Sequence, residues 1–191
     1  MITCALLAAT LSAPQAVSTA PLSIHVAAGF PWSGVAVEKS FASDFSATVE
    51  AETALGRRWE SRLQLNKDWP INTSWLLRSG LGTGWVFQSP SVPRQGVQVV
   101  ARVGASYQST YSPFVTLDYR YLIGLRELAI QSATGDRTEW MTTPYVSILG
   151  QIGVRRAISS SLELDLRLIF GEIDDVFAIP GALLGLRWSQ R

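Results

Sequence analysis

The chain holds one cysteine and one histidine in 191 residues, which excludes a disulfide framework and any metal site built from several histidines. Charge of one sign is missing too: 16 basic against 15 acidic residues give a formal net charge of +1, so nothing electrostatic draws the chain to nucleic acid. Apolar residues make up 47% and charged ones only 16%, yet beyond the N-terminus no apolar run reaches the ~18 residues that a transmembrane helix needs. No segment repeats its apolar residues at helical spacing. What is present, from Leu22 to the C-terminus, is alternation with period two, the mark of strands with two unlike faces.

The first twenty residues read differently. Ile2 to Leu11 is an apolar stretch, Ser12-Ala13-Pro14 breaks it, and Ser18-Thr19-Ala20 is a small-residue cleavage site; this is the order of a secretory signal peptide, without the usual basic residues ahead of it. The reading is residues 1–20 as signal peptide and 21–191 as one β-barrel domain. Cleavage removes Cys4, leaving the mature chain without thiol chemistry.

Ten strands follow: 22–30, 34–41, 45–55, 59–67, 73–87, 96–108, 113–130, 138–157, 161–171 and 179–189, with 131–137 read as polar loop. Short turns follow the even strands, and the longer connections mostly follow the odd ones. The fold class is therefore all-β, an antiparallel up-and-down transmembrane β-barrel; ten strands is the preferred count, and eight results if the first two segments form one bent element or lie outside the barrel. Up-and-down order then puts Trp32, Trp59, Trp85 and Trp140 at one rim and Trp69, Trp75 and Trp188 at the other. Two aromatic belts around apolar strands suit a lipid bilayer, where amphipathic rings sit at headgroup level. Alternation alone would also suit a soluble lipocalin-like barrel; the belts and the leader decide against it.

The same parity assigns an inner face. It carries Glu38, Glu50, Glu52, Glu60, Asp118, Glu163 and Asp165 against Arg62, Arg78, Arg102, Arg120, Arg126, Arg155, Arg167 and Arg187. Nearly equal numbers of opposite charges in a narrow lumen pair off, since an unpaired buried ion costs several kcal/mol. Gly80, Gly82 and Gly84 remove side chains from one wall, and Arg62 and Arg102 are the charges nearest the space they leave. The expectation is closure by those arginines, with a polar cavity and a pore as the alternative. No cofactor and no metal is expected.

From Leu22 to Arg191 the chain resembles the small bacterial outer-membrane β-barrel proteins, whose last strand carries a glycine followed by spaced aromatics as an assembly signal. Gly185 and Trp188 match part of that pattern, while the chain ends Ser189-Gln190-Arg191 without a terminal aromatic. The resemblance implies residence in the bacterial outer membrane, insertion by the barrel assembly machinery, and contact with membrane lipids including lipopolysaccharide. Outer-membrane lipid A deacylases use serine, histidine and a carboxylate; here the candidate is His25 beside Ser23. Omptin-type proteases activate water with paired carboxylates, for which Asp174 and Asp175 stand in the last loop. Arg57, Arg58, Arg94 and Arg137 fall at one rim, where guanidinium groups would suit lipid phosphate. The expected function is structural or surface-interacting, with a salt-bridged, closed lumen, ahead of a lipid-modifying enzyme and of a narrow pore.

Overall fold

The computed structural model describes residues 22–41, 44–54, 58–88, 94–132, 135–171 and 180–190. The strands are β1 Leu22–Phe30, β2 Trp32–Ser40, β3 Phe45–Ala54, β4 Arg58–Pro70, β5 Trp75–Gln88, β6 Arg94–Tyr107, β7 Tyr111–Ser132, β8 Gly135–Ala157, β9 Leu162–Gly171 and β10 Gly181–Gln190. Each pairs antiparallel with its neighbours in chain order, and β1 closes on β10. Along that seam Leu22 stands opposite Gln190 and Phe30 opposite Ala182, so the ladder is continuous and no edge is left. The barrel therefore has ten strands. The eight-strand alternative fails because β1 and β2 are separate partners, with Leu22 opposite Lys39 and Ala28 opposite Ser33.

Alternation decides what faces where. On β9 Leu166, Leu168 and Phe170 are about half exposed on the outside, while Asp165 is buried. The same holds on β4, where Leu63 and Leu65 face out and Arg62, Gln64 and Asn66 face in. Large apolar side chains clothe the outer wall on all ten strands, a surface that water does not tolerate at this size. With every strand hydrogen-bonded on both edges, the chain is a membrane-spanning β-barrel. The connections that follow β2, β4, β6 and β8 define what we term the lower rim, which also carries the start of β1 and the end of β10.

Six of the seven tryptophans sit on the outside: Trp59, Trp85 and Trp140 toward the upper rim and Trp69, Trp75 and Trp188 toward the lower, all between 43% and 55% exposed. Tyr107 joins the lower belt edge-on to Trp75, with ring centroids 5.3 Å apart. Trp32 does not belong to a belt. It is only 3% exposed and lies inside the barrel. Pro31 alone separates β1 from β2, so Trp32 is a strand residue opposite Ala54 rather than part of a turn. Alternation then sends it inward with Gly34, Ala36 and Glu38.

The β7–β8 hairpin also differs from expectation. Its ladder runs on to Ser132 opposite Gly135, through most of the segment expected as polar loop. Polar residues do not break an antiparallel ladder whose backbone partners are in register, so composition alone misplaced this boundary. The segment expected as a signal peptide, residues 1–20, lies outside the described residues.

Candidate functional site

The lumen is filled on one side by an ionic core built from β3, β4, β6 and β7. Its members are charged because the inward positions of these four strands are charged, and they meet because the register brings them level. Glu50 stands opposite Arg62 across β3–β4, and Arg102 opposite Asp118 across β6–β7. Arg102 holds both oxygens of Asp118, at 2.6 and 2.8 Å, and extends to Glu50 at 3.1 Å. Arg120 donates to Glu60 at 3.0 Å and to Asp118 at 3.2 Å. Arg62 contacts Glu50, and lies 2.8 Å from Glu52 and 3.5 Å from Glu60.

Two of these links cross the lumen, Arg102 on β6 to Glu50 on β3 and Arg120 on β7 to Glu60 on β4. A strand cannot slide without breaking them. Gln98 and Asp118 are fully buried, and Glu60, Arg62 and Arg120 nearly so. Charges so far from water persist because each carboxylate meets at least two guanidinium groups.

The glycines of β5 complete this wall. A Cβ on Gly82 would lie 3.0 Å from Cβ of Gln64, and one on Gly84 would lie 2.9 Å from Cγ of Arg62. At Gly80 the neighbours are the side-chain amides of Gln64 and Asn66. The space is thus filled from β4, by Arg62 as expected but otherwise by two amides, while Arg102 turns away to Asp118. Gln64, Asn66 and Gln98 were missed because the inner face was read for charge alone; their parity was available in the sequence.

On the opposite wall His25 is the centre. Its Nε2 lies 2.7 Å from Asp165 and 2.8 Å from a guanidinium nitrogen of Arg167, which itself grips Asp165 at 2.6 and 3.1 Å. A Cβ on Gly185 would sit 2.5 Å from that Nε2 and 2.6 Å from Asp165 Oδ1, so glycine is what lets the pair cross β10. Ser23 is not part of the arrangement: its hydroxyl accepts from Arg187 at 3.2 Å. The histidine and acid are joined, but the serine is turned to an arginine and the group faces the lumen rather than lipid. Asp174 and Asp175 lie outside the described residues.

Glu163 and Arg78 also face inward, Glu163 lining a cavity near the lower rim and Arg78 spanning Asp68 and Glu38. Above His25 lies a buried apolar cluster of Ala27, Trp32, Ala54, Leu149, Ile169 and Leu183. Below it lie a cavity of about 110 Å³ and, reaching the lower rim, one of about 300 Å³.

Of the four arginines expected at a lipid-facing rim, Arg58 is instead buried, its Nε 2.6 Å from Glu60. It opens β4 in the inward register with Glu60 and Arg62, which overrides its place beside a loop. Arg57 and the side chains of Arg94, Arg126 and Arg137 lie outside the described residues. Among the described residues no group of three histidine, cysteine or acidic side chains could hold a metal ion.

No family model matches the sequence, and no curated protein matches it. Among solved structures the chain is similar to an outer-membrane protein of Vibrio cholerae, OmpT lacking loop L8, at 11% identity and TM-score 0.44 over 88% of this chain. The chain spans 59% of that protein's length. It is also similar to the NanC porin at 13% identity and TM-score 0.47, over 89% of this chain and 99% of that one. Neisserial surface protein A matches at 13% identity and TM-score 0.36, over 88% of this chain and 97% of that one.

Proposed function

We propose that this protein is a barrel of the bacterial outer membrane with a sealed lumen, serving a structural or surface-interacting role and carrying out no chemistry of its own. The observation that carries the reading is the double seal: an ionic core tying β3 and β4 to β6 and β7 across the lumen, and the Trp32 cluster on the other side. Ten strands enclose an interior that side chains can fill, whereas open aqueous channels belong to wider barrels. The separation of Ser23 from His25 argues against a deacylase-like reading.

Lipids, lipopolysaccharide among them, are the partners this reading implies, with the assembly machinery acting on β10. For Gly185, the structure adds a second reason to be glycine. The test is recording from purified protein reconstituted in planar bilayers. No steady conductance is expected, and an ohmic current that scales with inserted protein would overturn the reading in favour of a narrow pore.

A further inference from the structure

The two cavities share Arg78, Phe114, Thr116 and Arg155 in their walls. Three arginines around them have their charge met at short range. Arg78 binds Asp68 at 2.6 and 2.8 Å and Glu38 at 3.1 Å; Arg187 binds Glu38 at 2.5 Å; Arg167 binds Asp165 at 2.6 Å. Arg155 is different. Among the described residues no carboxylate lies within ion-pair distance of it, and its guanidinium carbon sits 4.3 Å from the centroid of the Phe114 ring. A ring face offers a cation about 0.5–2 kcal/mol, less than a buried carboxylate would.

All but one of the acids lining the larger cavity, and Asp165 beside it, are engaged elsewhere. Glu38, Asp68 and Asp165 serve the other arginines, and Asp44 at the rim lies 3.7 Å from Lys67. Glu163 lines the larger cavity but stands opposite Ala157, one inward position nearer the rim than Asp165, the register partner of Arg155. Of the hydroxyls in the lining, Ser46 donates to Glu38 at 2.6 Å and Ser112 to the Ser109 carbonyl at 2.8 Å, while Ser23, Ser40 and Ser189 keep a proton to offer. A guanidinium with open donors, facing hydroxyls that can donate, is complementary to an oxyanion.

We propose that Arg155 is the floor of a binding site for a small oxyanion, a carboxylate or phosphate group, entering from the lower rim. The planar fork can bind two oxygens at once, and it lines both cavities with its central carbon over the Phe114 ring. At about 300 Å³ the larger cavity has room for a small solute and not for a chain. The site lies below the Trp32 cluster, so a sealed barrel can hold it and its failure would leave the sealing untouched.

The test is titration of the detergent-folded barrel with acetate and, separately, with inorganic phosphate, at constant ionic strength set with chloride. Saturable heat in either arm is expected, the stronger arm naming the group, with at least about a tenfold loss of affinity in Arg155→Gln from the lost bidentate, charge-assisted bonds. Heat-shifted gel mobility first checks that the variant is folded. If it is not, Arg155→Lys, which keeps the charge and loses the fork, is read the same way. No saturable binding in either arm, or undiminished affinity in the variant, would overturn the site. So would binding that appears only in Glu163→Gln, because Glu163 would then be the partner of Arg155.

Discussion

The two sides of this lumen use the same side chains to opposite effect. Across β3, β4, β6 and β7, Arg62, Arg102 and Arg120 each meet two or more acids, and Gln98 and Asp118 have no exposed surface. Toward β1, β8, β9 and β10, Arg155 leans on a phenylalanine and borders two cavities, and the buried cluster above is apolar. The difference lies in how acids are distributed. Glu50, Glu52, Glu60 and Asp118 each meet two or more arginines of their wall, whereas on the other wall Asp165 is shared by His25 and Arg167 and Glu163 stands one inward position away from Arg155. Pairing saturates one half and leaves Arg155 without a carboxylate at ion-pair distance in the other, among the described residues.

The largest effect should come from breaking the saturated half. Asp118→Ala strips Arg102 of both its bidentate bonds and Arg120 of one of its three acids. Arg102 keeps Glu50 and Arg120 keeps Glu60, but removing one partner from this buried network should still cost about 3 kcal/mol. Urea unfolding from vesicles, followed by gel mobility, measures it; a loss under 1 kcal/mol would mean that water replaces the carboxylate. Trp32→Ala removes the bulk of the apolar seal and should cost about 3–5 kcal/mol, at the upper end only if the space left stays dry.

Smaller effects sharpen the contrast. Gly185→Ala places a methyl group against His25 and Asp165 and should cost about 1–3 kcal/mol by overpacking. If that pair is what the methyl disturbs, the double variant with His25→Ala should recover part of the loss. Arg155→Gln should change stability by no more than about 0.5 kcal/mol in the absence of anion, since no acid is orphaned. A large loss there would show that Arg155 has a partner and that the two halves are alike.

Much of this was legible in the sequence. The alternation of Leu166, Leu168 and Phe170 with Asp165 and Arg167 gave the strand, its faces and the charged lumen, since period two needs no knowledge of partners. Register was not legible. Nothing in composition says that Arg102 reaches Glu50 across the barrel, or that Arg155 stands opposite an acid already taken by Arg167. Trp32 shows the second limit: its neighbours Pro31 and Ser33 have turn character, and only the pairing with Ala54 makes it a strand residue and sends its ring inside. Arg58 was misplaced for the same reason.

The central claim is that the lumen is sealed in two ways, by charge on one side and by the Trp32 cluster on the other. Single-channel recording of wild type beside Trp32→Ala in the same planar bilayer tests it most directly. The account predicts a silent wild type and a small steady conductance in the variant, because removing the ring joins the lower cavities to the space above. A steady wild-type current, or a folded Trp32→Ala barrel as silent as its parent, would contradict it.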